Sequence, residues 1–367
     1  MAHTWRITKG NRARDGARQR GPNRRQGTES GTCWYLQCSG RLRDRLPARR
    51  DERHIMMQAR RTRLIERVLE YGVLAGTASW SGCVMTRPAR TADLAPPSAL
   101  AVRPVSFPSR SGSTIRAWLL GGNPGVGAVL LLHGVGDNRS GMVGRARFLH
   151  RAGYTVLLPD FQAHGESEGA RITFGALESL DAEAALAFLR TCSGGERVGM
   201  LGVSMGGAAA LLGPGPLHAD AYVLESVYPT IRQALEYRLG VWLGPLGKLN
   251  RVVAPLVIRG VSAEIGIGED ALRPIDHIGR VGAPVFVIAG TRDAYTPLGE
   301  SRALFEQARE PKEFWAVEGA RHEDLHAFAG DIYEQRVGEF LAHHLRTTPS
   351  LRPSIVACAL SKDVIAD

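Results

Sequence analysis

The 367-residue sequence predicts an α/β fold, a mostly parallel twisted sheet with helices on both faces. Short and nearly continuous apolar runs recur along the chain, and each ends at glycine or a polar residue. Between most of these runs lie stretches with apolar residues at helical spacing. Strands buried on both faces need no polar side, which explains why the runs show little alternation.

The predicted elements begin after a proline-rich linker near residue 97. An alternating run and six apolar runs are the predicted strands, at residues 113–120, 127–134, 154–161, 197–204, 221–227, 284–291 and 313–320. Helical patterns cover residues 174–191 and 331–345. About 56 residues separate the runs ending near 227 and starting at 284, more than one connecting helix needs. We therefore expect one domain over 97–346, with a small helical cap inserted at 228–275.

Most of the positive charge lies at the N-terminus. Residues 1–55 hold 14 Lys and Arg against five Asp and Glu, whereas the net charge of the whole chain is +10. A nucleic-acid partner is therefore not expected for the nearly neutral remainder. Residues 1–55 lack helix or strand periodicity and are predicted to be a disordered basic tail. Because Met56 and Met57 open a better organised segment, this tail is a candidate for exclusion from the natural product. Residues 347–367 are predicted to be a C-terminal tail.

Residues 56–96 allow two interpretations. Three arginines precede an apolar run at 68–80, and Ser81-Gly82-Cys83 follows it. This order resembles a bacterial lipoprotein signal, in which Cys83 would be lipidated and would attach the protein to a membrane surface outside the cytoplasm. Glu70 within the run and Trp80 before the small residues depart from that pattern. The alternative is an amphipathic helix that caps a cytoplasmic, soluble domain and leaves Cys83 unmodified. No run reaches the ~18 apolar residues of a membrane span.

Four predicted strands end in residues that can carry chemistry. They are followed by His133-Gly134-Val135-Gly136, by Ser204, by Asp293 and by His322. In parallel sheets, functional groups collect at the carboxyl ends of the strands. A serine hydroxyl needs a base to become a nucleophile, histidine can supply that base near neutral pH, and a carboxylate can orient the imidazole. Backbone N–H groups can stabilise the oxyanion that develops.

Gly202-Val203-Ser204-Met205-Gly206 matches G-x-S-x-G, and on this motif the chain resembles the α/β-hydrolase superfamily. The likeness extends over residues 104–346 and is nearest to esterases and to serine peptidases with a prolyl-oligopeptidase-like catalytic domain. It implies a triad of Ser204, Asp293 and His322, in the family's chain order. His133-Gly134 resembles the family's oxyanion loop, which implies that the N–H groups of Met205 and Val135 hold the oxyanion.

Several neighbouring residues offer alternatives or accessory roles. Glu225 competes with Asp293 as the acid, and His326 competes with His322 as the base. The segment 157–169 resembles the family's D-x-x-x-H-G-x-S-x-G sequence, whose members shape a loop in relatives; the matching residues are Asp160, His164, Gly165, Ser167 and Gly169.

The predicted activity is that of a serine hydrolase, with a carboxylic-ester hydrolase as first choice and a small ester or acyl compound as substrate. A peptidase, an acyl-peptide hydrolase, a thioesterase and a non-catalytic binding protein on the same fold are the alternatives. The apolar cap suggests an acyl pocket, unless its side chains only pack against the sheet; the candidate lining residues are Tyr228, Trp242, Leu243 and Leu246.

No metal or organic cofactor is required. The five cysteines are odd in number and widely spaced, which predicts neither a disulfide framework nor a zinc site.

Overall fold

The computed structural model describes residues 49–346 apart from residues 93 and 99. The C-terminal tail and residues 1–48 of the basic tail lie outside the described residues. The chain divides into two compact units, Met1–Arg60 and Arg61–Asp367. The described part of the first unit, residues 49–60, is helical. Apart from the start of the first helix, which begins at Arg49, the features described below belong to the second unit.

An eight-stranded sheet forms the centre of this unit, with the strand order β10-β9-β8-β7-β4-β5-β3-β2. Strands β1 and β6 form a separate parallel pair. The strands are β1 Ala89–Arg90, β2 Arg103–Pro108, β3 Thr114–Leu120, β4 Ala128–Leu132, β5 Thr155–Pro159, β6 His164–Gly165, β7 Val198–Val203, β8 Ala221–Glu225, β9 Val285–Gly290 and β10 Lys312–Val317. The β2–β3 and β3–β5 pairs are antiparallel, and the other pairs of the large sheet are parallel.

The helices connect and cover these strands. They are α1 Arg49–Met85, α2 Val143–Arg151, α3 Ala176–Cys192, α4 Met205–Leu211, α5 Ile231–Leu243, α6 Asn250–Ile265, α7 Ile275–Ile278, α8 Leu298–Gln307 and α9 Leu325–Leu345. Short 3₁₀ segments lie at Arg139–Met142, Gly244–Leu249 and Glu269–Ala271. The predicted helical insertion between β8 and β9 therefore consists mainly of α5 and α6.

Two apolar clusters lie on opposite faces of the sheet, as the alternation along β4 shows. Leu130 and Leu132 belong to the cluster that includes side chains of α3, α4, α5 and α6. Val129 and Leu131 belong to the cluster that includes side chains of α2 and α9. Because both faces are covered, every residue of β4 is buried and the strand is apolar throughout. The predicted fold class, a mostly parallel sheet between helical layers, is confirmed.

Helix α1 packs closely against α6 through small residues. A Cβ atom on Gly260 would overlap the backbone carbonyl of Ala78, and one on Gly82 would overlap the backbone of Gly260. Beyond the helix, the Thr86 carbonyl accepts a 2.8 Å hydrogen bond from the amide of Ile172. Residues 78–86 are thus fixed to the insertion and to the loop that precedes α3.

Cys83 lies in the last turn of α1 and is exposed. Cleavage before Cys83, which lipidation would require, would remove the residues of α1 that contact Gly260. No helix among residues 49–346 is both long enough and apolar enough to cross a membrane. The lipoprotein signal and the unmodified capping helix both stay predictions.

We predict that Gly260→Ala lowers the free energy of unfolding by about 1–3 kcal/mol, because the added methyl group meets backbone atoms that cannot yield. Gly76→Ala is the matched control on α1, since a Cβ there meets nothing within 4 Å. Replacing glycine by alanine at an open helical site is neutral or stabilises by up to ~1 kcal/mol. Urea unfolding of both variants measures the difference. Equal stability of the two variants would contradict the close contact between α1 and α6.

Candidate active site

Ser204 occupies a strained turn between β7 and α4. Its backbone has φ 50° and ψ −113°, a conformation that side-chain-bearing residues rarely adopt. A Cβ atom on Gly202 would come within 2.6 Å of the Gly207 nitrogen, and one on Gly206 would overlap the Leu132 carbonyl. The two glycines of the G-x-S-x-G motif are therefore required by the close approach of neighbouring backbone. The turn is fixed by the Ser204 amide, which donates a 2.8 Å hydrogen bond to the carbonyl of Glu225.

Asp293 and His322 come together from the loops after β9 and β10. Nδ1 of His322 lies 2.8 Å from Oδ2 of Asp293. The other carboxylate oxygen accepts 2.8 Å hydrogen bonds from the amides of Tyr295 and Thr296. Asp293 is buried, so these bonds hold its carboxylate in one orientation. In a neutral imidazole, this contact favours the tautomer that carries its proton on Nδ1, in which Nε2 is the acceptor.

Ser204 and His322 line the same narrow pocket. The remaining wall comes from the loops after β4, β8 and β9, from the residues just before α3, from the start of α4 and from α5. It consists of Val135, Phe174, Met205, Tyr228, Ile231, Ala234, Leu235, Arg238, Tyr295 and Thr296. The centres of water-sized molecules can reach about 30 Å³ of this space. The ring of Tyr295 packs edge-on against His322, with 5.4 Å between centroids. The geometry thus places a serine and a histidine in the wall of one small, mostly apolar space, and the buried carboxylate of Asp293 contacts that histidine.

Backbone N–H groups are available on the side of Ser204 that faces the loop after β4. Met205 is the first residue of α4, and the first amides of a helix have no intrahelical acceptor. Gly134 lies close by, because a Cβ built on it would be 3.7 Å from the Ser204 Cβ. Val135 lines the pocket. The next amide, Gly136, instead donates a 3.2 Å hydrogen bond to Nε2 of His164. Met205 and Val135 stay the predicted oxyanion donors.

The segment from Asp160 to Gly169 shapes the loops around the pocket. The Asp160 carboxylate pairs with Arg139 and accepts the backbone amides of Arg139 and Glu166 at 2.7 and 2.9 Å. The Ser167 hydroxyl donates a 2.8 Å hydrogen bond to the Asp160 carbonyl. These buried groups have structural partners, in agreement with the loop-shaping role predicted for the segment.

His133 is also unsuited to act as a base. Its Nε2 accepts a 3.0 Å hydrogen bond from the amide of Phe161, while Nδ1 lies 2.8 Å from the carbonyl of Gly134. Complete burial, with a smaller contribution from the neighbouring His164, lowers the pKa of His133 to about 3. The ring therefore stays neutral and fixes the direction of the loop that carries Val135.

The competing candidates for acid and base have partners elsewhere. The buried carboxylate of Glu225 accepts hydrogen bonds from Nε and Nη2 of Arg145 at 3.0 and 2.6 Å, and also contacts the Tyr333 hydroxyl. Nε2 of His326 lies 3.0 Å from the carboxylate of Glu334. Neither Glu225 nor His326 lines the pocket that contains Ser204. Their environments favour Asp293 and His322 for the two roles.

The structure corrects most of the predicted acyl pocket. Tyr228 lines the pocket, and its buried hydroxyl donates a 2.7 Å hydrogen bond to the carbonyl of Phe174. Trp242 and Leu246 are instead 60% and 61% exposed. Trp242 and Leu243 lie at the end of α5, beyond the turns whose side chains face the pocket, and none of these three residues lines it. The prediction was wrong for Trp242, Leu243 and Leu246 because apolar character alone does not indicate which helix face is buried.

Sequence reasoning missed several residues around Ser204. Phe174, Ile231, Leu235 and Arg238 line the pocket although no motif marks them. The signal for α5 was present: Ile231, Leu235 and Leu239 are spaced four residues apart, and all three are buried. Arg238 precedes Leu239 on this helix, so the same spacing could have predicted that Arg238 lies near the pocket.

The chain is similar to several known proteins. Residues 124–232 match a family described as serine aminopeptidase, S33. The uncharacterized protein Rv2307c of Mycobacterium tuberculosis is 30% identical over 258 residues, which cover 67% of this chain and 82% of that protein. YqkD of Bacillus subtilis is 26% identical over 250 residues, which cover 64% and 77%. An esterase structure from Pyrococcus furiosus matches with a TM-score of 0.59 and 23% identity, covering 71% of this chain and 98% of that one.

The chain belongs to the α/β-hydrolase superfamily. It is a hydrolase of that family, and its fold is that of the esterase structures it resembles. The sequence resemblance to the superfamily is thereby confirmed.

We predict that Glu225→Gln destabilises the protein by about 3–5 kcal/mol, because it leaves the buried Arg145 guanidinium with only the partly exposed carboxylate of Asp324 as an acidic partner. Glu334→Gln, which weakens a partly exposed pair with Arg151, is the matched control and should cost no more than ~1 kcal/mol. Thermal unfolding at neutral pH measures both effects. A Glu225→Gln variant as stable as the wild type would show that this carboxylate has no structural role. Glu225 would then again be an alternative to Asp293 as the catalytic acid.

Proposed function

We propose that the protein is a carboxylic-ester hydrolase that works through a covalent acyl-enzyme. The observation that carries the proposal is that His322, whose Nδ1 lies 2.8 Å from Oδ2 of Asp293, lines the same pocket as Ser204 on its strained turn. Three groups with complementary chemistry converge there from the ends of three strands of one sheet. The esterase-like fold supports the proposal at the level of architecture.

In the first half of the reaction, Oγ of Ser204 attacks the ester carbonyl carbon while Nε2 of His322 takes the hydroxyl proton. The carbonyl π bond opens to an oxyanion, which the N–H groups of Met205 and Val135 stabilise. The intermediate collapses, the carbon–oxygen bond to the alcohol breaks, and the imidazolium returns its proton to the departing alkoxide. Asp293 keeps the imidazole oriented and stabilises its charged form. The products of this half are the free alcohol and an acyl group on Ser204.

In the second half, water replaces the alcohol. Nε2 of His322 removes a proton as the water oxygen attacks the acyl carbon, and the same N–H groups stabilise the second oxyanion. When the bond between carbon and Oγ breaks, His322 protonates the serine and the carboxylic acid leaves. Every proton that His322 takes is returned, so the chemistry consumes only ester and water.

The family match described as a serine aminopeptidase supports amide hydrolysis as a second candidate. The same triad cleaves amides by the same steps. Short acyl 4-nitrophenyl esters and amino-acid 4-nitroanilides, assayed side by side, distinguish the two activities. We expect kcat/KM to be higher for the esters and to fall as the acyl chain lengthens, because the pocket is narrow.

We predict that Ser204→Ala abolishes both labelling by a fluorophosphonate probe and turnover of the esters, with a loss of at least about 10⁴-fold in kcat. Asp293→Asn should lower kcat by roughly 10⁴-fold because the imidazole then adopts the wrong tautomer. His326→Gln is the matched control for the base and should retain activity within a few fold. Folded wild-type protein that neither labels nor turns over esters or amides would contradict the proposal and would favour a binding protein on this fold.

A further inference from the structure

Arg238 places a positive charge in the wall of the pocket that contains Ser204 and His322. The residue lies on α5, and its side chain is half-buried. The other lining residues are apolar or aromatic, apart from Ser204, Thr296 and His322. Within the described part of the chain, Arg238 is therefore the one permanently charged side chain on this surface.

The guanidinium of Arg238 is held in place without an acidic partner. It lies 4.9 Å from the centroid of the Tyr295 ring, and that ring packs edge-on against His322. Among the residues that the structure describes, no carboxylate forms an ion pair with it. Burial lowers the pKa of Arg238, while Tyr295, Tyr228 and Asp293 act in the opposite direction. Asp293 already accepts three hydrogen bonds from the protein, so its carboxylate is committed elsewhere.

Several exposed arginines of the described residues, such as Arg302 and Arg336, also lie over aromatic rings without a carboxylate, but the buried arginines do not. The buried Arg139 and Arg145 each pair with carboxylates, namely Asp160 and Glu225. On the same helix as Arg238, the exposed Arg232 pairs with Glu236 and Glu269. Removing a guanidinium from water costs free energy unless an anion accompanies it. The planar arrangement of its N–H donors fits a carboxylate, which can accept two parallel hydrogen bonds.

We propose that Arg238 binds a carboxylate carried by the substrate, so that the preferred esters are anionic ones such as half-esters of short dicarboxylic acids. This inference rests on the proposed ester hydrolysis at Ser204. A single guanidinium balances a single negative charge, and no other cation lines the pocket within the described residues, which favours a carboxylate over a doubly charged phosphate. The small volume of the pocket favours a short spacer between the ester and the carboxylate.

The same arrangement selects against neutral esters. A neutral acyl chain of equal length would displace water from the guanidinium without supplying an anion. Two effects therefore favour the anionic ester. It forms hydrogen bonds with the guanidinium, and a neutral ester leaves the guanidinium without a partner. Hydrogen bonds to charged groups typically contribute enough for a discrimination of about 10- to 100-fold.

The test compares matched esters by pH-stat titration. Monomethyl succinate and monomethyl glutarate carry the carboxylate on the acyl side, whereas acetoxyacetate carries it on the alcohol side. Methyl butyrate, methyl pentanoate and ethyl acetate are the neutral counterparts.

The variants are Arg238→Met, which keeps much of the side-chain length without the charge, and Arg232→Met as the control on the exposed part of the same helix. Binding of the half-esters to Ser204→Ala, with and without Arg238→Met, is measured by calorimetry.

We expect the wild type to favour one of the anionic series by about 10- to 100-fold in kcat/KM. Arg238→Met should remove that preference, mainly through a raised KM for the anionic esters, so that anionic and neutral esters reach similar kcat/KM; Arg232→Met should keep the wild-type preference. Equal rates for anionic and neutral esters in the wild type would overturn the inference and leave the proposed function intact. An equal loss for both series in Arg238→Met would also overturn it, by showing that Arg238 only positions Tyr295 and His322.

The calorimetry separates this inference from the proposed reaction. Binding of a half-ester to Ser204→Ala that disappears in the double variant would support the anion site even if no ester were hydrolysed. No binding in Ser204→Ala, together with turnover of neutral esters only, would contradict the anion site alone.

Discussion

The turn at Ser204 is the constraint on which the rest of the site depends. A positive φ at a residue with a side chain raises the free energy of the folded state by about 1–3 kcal/mol. Interactions with the surrounding structure must offset this strain. The Ser204 amide donates to the Glu225 carbonyl, and the Glu225 carboxylate is fixed by Arg145 and Tyr333. This connects the end of β7 to the end of β8 and, through Arg145 and Tyr333, to α2 and α9. The serine is therefore held by buried groups that themselves take no part in the proposed chemistry.

Charge is distributed unevenly around this turn. The buried Asp293 carboxylate is satisfied by two amides and by His322, while Arg238 on α5 has no acidic partner among the described residues. Tyr295 links the two regions, because its ring contacts both His322 and the Arg238 guanidinium. The insertion between β8 and β9 therefore contributes part of the pocket wall and, among the residues that the structure describes, the one permanently charged side chain in that wall. In the proposed function, the residues that carry out the reaction lie at the ends of strands of the sheet. In the proposed anion site, the residue that selects the substrate lies on the insertion.

The sequence predicted the sheet because its central strands are buried on both faces and therefore uniformly apolar. Strand β2 was missed, since an antiparallel edge strand alternates exposed and buried residues and this one contains two prolines. The positions of Ser204, Asp293 and His322 at strand ends followed from topology and motif. The choice of Trp242, Leu243 and Leu246 for the pocket failed, because the direction of a helix face depends on tertiary packing. Arg238 carries no motif, and its lack of an acidic partner can be seen only in three dimensions.

A crystal structure of the protein after reaction with a small organophosphate such as paraoxon tests the proposed mechanism most directly. We predict a covalent bond from phosphorus to Oγ of Ser204, with the phosphoryl oxygen within hydrogen-bond distance of the Met205 and Val135 amides. Nε2 of His322 should lie within reach of Oγ or of a phosphorus-bound oxygen, and its Nδ1 should keep the contact with Asp293. An adduct on a different residue, or one on Ser204 whose phosphoryl oxygen points away from both amides, would contradict the mechanism.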